Sequence, residues 1–110
     1  MAALTPQEQD ALQRFKRELL RRFPGEIRQV VLFGSKARGD ARPDSDIDVL
    51  VVTQQSDWRL GDRIQGLVTD MLLETGVDLS VKVFGQPAVE QLQRYGGGFI
   101  VNALHEGAVV

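Results

Sequence analysis

Hydrophobic positions change period several times along the chain, and each change marks an element. Leu12, Phe15, Leu19 and Phe23 recur every three or four residues, the spacing of one face of an α-helix. Ahead of them, Thr5 can cap, Pro6 suits the first helical position and Glu8 completes a capping box; Pro24-Gly25 then stops the helix. From Ile27 to Phe33 the period is lost. The unbroken run Val30-Val31-Leu32-Phe33 predicts a strand covered on both faces. Gly34 to Ser45 is polar and turn-rich, with room for a short helix starting at Ser35, and Ile47 to Thr53 is a second apolar strand. Ser56 or Asp57 caps a second long helix whose inner face is Leu60, Ile64, Leu67 and Met71, with Gly76 at its end. Val77 to Phe84 alternates: Val77, Leu79, Val81 and Val83 point one way, Asp78, Ser80 and Lys82 the other. Pro87 opens a short helix to about Tyr95, Gly96-Gly97-Gly98 is a hinge, and a final helical turn or two ends near Gly107. Ala108 to Val110 can begin another strand.

The order is helix, strand, strand, helix, strand, helix, which predicts an α/β (α+β) protein with a small mixed β-sheet flanked by helices. About a dozen residues separate the first two strands, near the lower limit for a parallel crossover and comfortable for an antiparallel return. A full helix lies between the second and third strands, so these should run parallel. Gly34-Ser35, Asp46 with Asp48, and Asp78 should then meet at one edge of the sheet.

Asp46 and Asp48 stand at i and i+2, on the same side of a strand, with α-carbons roughly 6.6 Å apart. Two carboxylates held that close repel unless a cation joins them. An all-oxygen pair suits Mg²⁺, which keeps waters and takes further ligands from substrate phosphates. Gly34-Ser35 follows a buried strand; a glycine there lets backbone amides approach a phosphate, and the serine hydroxyl adds a donor.

In combination these residues say more. Leu32-Phe33-Gly34-Ser35-Lys36-Ala37-Arg38-Gly39 is followed by Asp44-Ser45-Asp46-Ile47-Asp48-Val49-Leu50. This resembles the nucleotidyltransferase signature of the DNA polymerase β superfamily, and most closely its minimal bacterial and archaeal members. The signature covers residues 32–51, with weaker resemblance through the third strand and into Phe99-Ile100-Val101-Asn102. Lys36 stands where the family often has arginine. The resemblance implies the polymerase β-like fold and two Mg²⁺ ions held by Asp46, Asp48 and a third carboxylate on a neighbouring strand. Asp78 is the candidate for the third, with Glu74 as the alternative. It further implies binding of the nucleotide by Gly34, Ser35, Lys36, Arg38 and Ser45, and transfer of a nucleoside monophosphate, AMP from ATP, to a hydroxyl. Minimal members are often antitoxins paired with a HEPN-domain ribonuclease toxin, so a HEPN-domain protein is the expected partner and acceptor. The alternatives are a non-catalytic binding module that neutralises its partner, and transfer to a small molecule. His105 reads as a surface helix residue and Trp58 as a packing residue.

Composition narrows this picture. With 110 residues the chain has the length of one domain, 1–110, and little left over for a lobe enclosing a small acceptor. There is no cysteine, hence neither a disulfide framework nor a thiolate metal site. No apolar run approaches a membrane span and MAALTPQEQD does not read as a signal peptide, so the expected location is cytoplasmic. The net charge of −2 gives no general attraction to nucleic acid, and no direct nucleic-acid binding is expected. The charge is uneven, however: residues 1–45 hold nine Lys/Arg against six Asp/Glu, and residues 46–110 hold four against nine. The basic excess lies on the first helix and around Lys36, Arg38 and Arg42.

Overall fold

In the computed structural model of the protein, which describes residues 4–39, 46–96 and 98–110, the capping box at Thr5 is formed. The Thr5 hydroxyl accepts from the Glu8 amide at 3.1 Å, and Glu8 Oε1 accepts from the Thr5 amide at 2.9 Å. This opens α1 (Pro6–Arg22), which ends ahead of Pro24-Gly25. The other elements are β1 (Ile27–Phe33), α2 (Gly34–Arg38), β2 (Ile47–Thr53), α3 (Trp58–Thr75), β3 (Leu79–Gly85), α4 (Gln86–Arg94), α5 (Gly98–Glu106) and β4 (Ala108–Val109). Asp57 caps α3 through the Arg59 amide, and Gly76 ends it in the left-handed conformation that only glycine takes readily.

The sheet order is β3-β2-β1-β4. β1 runs antiparallel to both β2 and β4, whereas β2 and β3 are parallel, as the crossover through α3 requires. The short link between β1 and β2 is thus an antiparallel return. Alternation along the strands divides the core in two. Val30, Leu32, Ile47, Val49 and Val51 pack under α1 and α3 with Phe15, Leu19, Ile64 and Met71. Val31, Leu50 and Val52 pack against Val89 of α4 and Ile100 and Ala103 of α5. The central strands are buried on both sides, which is why their sequence is an apolar run rather than an alternation.

Three sequence expectations need correction. β3 begins at Leu79, two residues after Val77, so Asp78 precedes the strand instead of lying in it. α5 has nine residues, more than the turn or two expected. Trp58, expected to pack, is 72% exposed, with the Arg59 guanidinium 5.2 Å above its ring. The hinge expected at Gly96-Gly97-Gly98 includes Gly97, which lies outside the described residues; Gly98 already belongs to α5. Among the described residues, no helix is long and apolar enough to cross a membrane.

Candidate active site

The site is built where β1 stops and β2 starts. Antiparallel pairing sets Phe33, the last residue of β1, opposite Asp48. The chain must turn away at the next residue, and Gly34 does so with φ 74°. A Cβ built on Gly34 would lie 2.5 Å from Asp48 Oδ2, so a side chain there would force the carboxylate or the turn to shift. Glycine is favoured at this position twice over, for its backbone angle and for leaving the Asp48 carboxylate in place. Ser35 follows in the first turn of α2, and Gly39 closes that helix in the left-handed conformation.

Asp48 points to the α4/α5 side of the sheet, since Ile47 and Val49 on either side of it pack on the α1/α3 side. It is half-buried, whereas Asp46, just before β2, is exposed. Burial, and secondly the charge of Asp46, push the Asp48 carboxyl above its usual range; Lys82 and Arg38 pull against that shift. A partly desolvated carboxylate beside a like charge favours a cation between them, and a two-carboxylate oxygen set fits Mg²⁺.

Asp78 lies just ahead of the neighbouring strand, β3. Ile47 pairs with Leu79 and Asp48 with Ser80, so the parallel register carried one step back places Asp78 beside Asp46. The predicted meeting of three strand ends at one edge is thereby realised in the backbone. Among the described residues, though, no three Asp, Glu, His or Cys side chains come together as a metal cage, and Asp78 is exposed. Glu74 is not part of the site. It belongs to α3, on the other face of the sheet, where its carboxylate accepts from Arg14 Nη2 at 2.9 Å.

The basic residues separate. Arg38 acts electrostatically on Asp48 and is paired with Glu106 of α5 at 3.5 Å. Lys36 does not join it. Its side chain is buried, 2% exposed, and its ammonium donates to Glu8 Oε1 of α1 at 3.2 Å. One step along a helix turns a side chain by about 100°, so Lys36 and Arg38 leave a five-residue helix in different directions. The expectation that Lys36 contacts nucleotide is thus corrected. Ser45 lies outside the described residues, as does Arg42. His105 is exposed on α5, as its sequence context suggested.

Two neighbours were not singled out from the sequence. Lys82, on the polar face of β3 with Ser80, acts on Asp48; its signal was the alternation itself. A cavity of about 180 Å³ opens beside Gly34 and Arg38, walled by Phe99, Asn102 and Glu106 of α5 over Phe33. The Phe33 and Phe99 rings meet edge to face at 5.4 Å. Nothing local in the sequence pairs α5 with α2.

A glycine turn whose first-turn amides carry no side-chain cap, set against two carboxylates at a sheet edge, suits a metal-assisted phosphoryl site, and relatedness decides the class. A sequence model described as the nucleotidyltransferase domain matches residues 12–94. The chain belongs to the nucleotidyltransferase domain family. It is therefore a nucleotidyltransferase by descent, and its mixed sheet flanked by helices is that family's fold. A relative from Methanocaldococcus jannaschii that carries the name protein adenylyltransferase is 33% identical over 103 residues, 94% of this chain and 97% of its own length. Protein adenylyltransferase MntA of Thermococcus cleftensis is 46% identical over 52 residues, 46% of this chain and 50% of its own length. A crystal structure described as a nucleotidyltransferase from Sulfolobus solfataricus superposes with a TM-score of 0.55 at 28% identity, covering 74% of this chain and 70% of that one. A chain of the MntA–HpeT toxin–antitoxin structure gives a TM-score of 0.54 at 18% identity over 89% of this chain and 70% of that one, a likeness of fold alone.

Proposed function

We propose that the protein is a protein adenylyltransferase, which moves AMP from ATP to a hydroxyl of a partner protein, and that it serves as the antitoxin of a HEPN-domain toxin. The observation that carries the catalytic part is the seating of Gly34 against Asp48, which joins a phosphate turn to the paired carboxylates. The named function of the M. jannaschii relative, matched over 94% of this chain, favours a protein as acceptor. The toxin–antitoxin setting of a structural neighbour motivates the choice of partner.

In this reading Gly34 and Ser35 hold the β- and γ-phosphates through backbone amides and the serine hydroxyl, joined by Ser45. Arg38 balances charge on the departing pyrophosphate. The acceptor oxygen bonds to the α-phosphorus as the bond from that phosphorus to the bridging oxygen of the β-phosphate breaks; pyrophosphate leaves and the hydroxyl proton passes to solvent. Asp46, Asp48 and Asp78 would hold Mg²⁺, which when bound supplies electrophilic stabilisation of the phosphates and acidifies the acceptor hydroxyl. An open sheet edge suits an acceptor presented by another folded protein. A bulky anion added to a toxin near its RNA-cleaving site would repel RNA phosphates.

The test is to incubate the protein with ATP, Mg²⁺ and the product of the neighbouring gene, then weigh the products by mass spectrometry. An added AMP on the partner, absent with the Asp46→Asn, Asp48→Asn variant, is the expected result. A partner that is bound and neutralised but gains no mass would instead assign the protein as a binding module.

A further inference from the structure

Among the described residues, Lys36 is the one charged side chain that is buried. A lysine this far from water requires a partner. It has one in Glu8 Oε1, the same oxygen that accepts from the Thr5 amide. A single carboxylate thus closes the capping box of α1 and grips the middle of α2, 28 residues further along the chain. Burial alone would raise the Glu8 carboxyl; the Thr5 amide, and then the Lys36 ammonium, outweigh it and hold Glu8 below its usual range. Glu8 is therefore ionised at neutral pH.

α2 is also held by Arg38, which is paired with Glu106 of α5 at 3.5 Å. The helix is five residues long, lacks a side-chain cap, starts at Gly34 and is followed by Gly39, both at positive φ. Ala37 adds a small contact with the core under α1 and α3. The same turn of α1 also reaches the segment leading to Asp78. Gln7 Nε2 donates to the Thr75 carbonyl at 3.2 Å, and the Thr75 hydroxyl accepts from the Val77 amide at 3.1 Å. The first turn of α1 therefore braces two of the three backbone segments that build the site, from outside the site itself.

We infer that Glu8 and Lys36 are positioning residues, an ion pair that sets the orientation of the Gly34-Ser35 turn toward the nucleotide phosphates. This rests on the reading of that turn as the phosphate site. Ser35 precedes Lys36 directly, and Gly34 has almost no clearance from Asp48, so rotation of α2 displaces both. Loss of the pair removes the hold of α1 on α2 and leaves the Arg38 side of the helix as its charged anchor. Neither side chain touches substrate.

The experiment compares Glu8→Gln, Lys36→Met, the double variant and Lys36→Arg with the unaltered chain. Three quantities are measured: thermal unfolding, the Kd for Mg²⁺–ATP by calorimetry, and backbone amide NMR spectra without nucleotide. Each of the first two variants should weaken ATP binding by about tenfold to a hundredfold, the scale of a misplacement near an ångström. The double variant should be no worse than the weaker single one, because both remove one interaction. Lys36→Arg should recover most of the affinity. In Glu8→Gln the amide signals of residues 34–39 should shift, although the change lies in another element. A purely structural pair would lower the unfolding temperature yet leave affinity and those signals unchanged; that outcome overturns the inference. If Lys36→Met does not fold, Glu8→Gln decides alone, since it keeps the oxygen that caps α1. An unaltered chain that binds no nucleotide would defeat the functional reading and this inference with it. Normal binding by the unaltered chain and both variants would defeat the brace alone.

Discussion

Replacing Gly34 by alanine adds one methyl group where φ is 74° and where that methyl would stand 2.5 Å from Asp48 Oδ2. Two effects follow, and they can be separated. A non-glycine residue held in the left-handed region loses about 1–2 kcal/mol of stability. Gly25 supplies the control. Its φ is 75° and nothing lies within 4 Å of its would-be Cβ, so Gly25→Ala carries the backbone cost without a neighbour. After the backbone cost alone, a domain with the usual margin of about 5 kcal/mol or more keeps about 3 kcal/mol, which leaves under about 1% unfolded, and urea unfolding of Gly34→Ala checks that the contact adds too little to change this. Unfolding therefore cannot account for a large functional loss. The contact with Asp48 is the second effect: the carboxylate must rotate or the turn must retreat, and either moves the carboxylate away from the turn's amides. Gly34→Ala should weaken Mg²⁺-dependent ATP binding by about a hundredfold, whereas Gly25→Ala binds as the unaltered chain does. Urea unfolding measures the first effect and calorimetry the second. If Gly34→Ala binds ATP as tightly as Gly25→Ala, the turn and the carboxylate do not form one site.

Three further outcomes are expected. The double change Asp46→Asn, Asp48→Asn should abolish the Mg²⁺ dependence of ATP binding, and equal affinity with and without Mg²⁺ in the unaltered chain would refute the premise. Asp78→Asn should lower turnover by about a hundredfold or more while ATP affinity changes little, the pattern of a group that matters chiefly in the transition state; unaltered turnover would return Asp78 to the surface. Asp48→Asn should stabilise the protein at neutral pH. Burial and Asp46 raise the folded-state pKa of Asp48 above its unfolded value, so the native state binds that proton more tightly and the ionised group weakens the fold above the raised pKa. As pH falls through that pKa the unaltered chain regains the difference, so the advantage of the variant in denaturation midpoint should shrink in acid; an advantage that grows instead would reverse the argument.

The motif of the candidate site was legible in the sequence because its parts are close along the chain. Phe33 ends one strand with Gly34 and Ser35 directly after it, Asp46 and Asp48 flank the first residue of the next, and the antiparallel return sets Phe33 opposite Asp48. The choice between crossover and return was left open, since a dozen residues allow either. The position of Asp78 at the correct edge followed from a helix-length connection that forces parallel pairing. Its membership of β3 was misjudged by two residues because Val77 fits the alternation, but α3 ends in a left-handed Gly76 and the chain needs those residues to reach the sheet.

What the sequence by itself determined was therefore local: caps, periods, stops and a motif whose members act on neighbours a few residues away. Thr5 with Glu8, Asp57 with Arg59 and Gly76 after Thr75 are all interactions of this range. The tertiary structure alone decided which way side chains of equal chemistry turn. Lys36 and Arg38 are two cations two residues apart, yet one is buried on Glu8 and the other lies near Asp48 and Glu106. Glu74 and Asp78 are two acids four residues apart, yet α1 claims one through Arg14 and the sheet register carries the other to the site edge. In each case the deciding partner lies tens of residues distant in sequence. A short-range pattern carries no record of it, because such a contact exists only once helices have packed on the sheet and fixed which face of each element is left to the solvent.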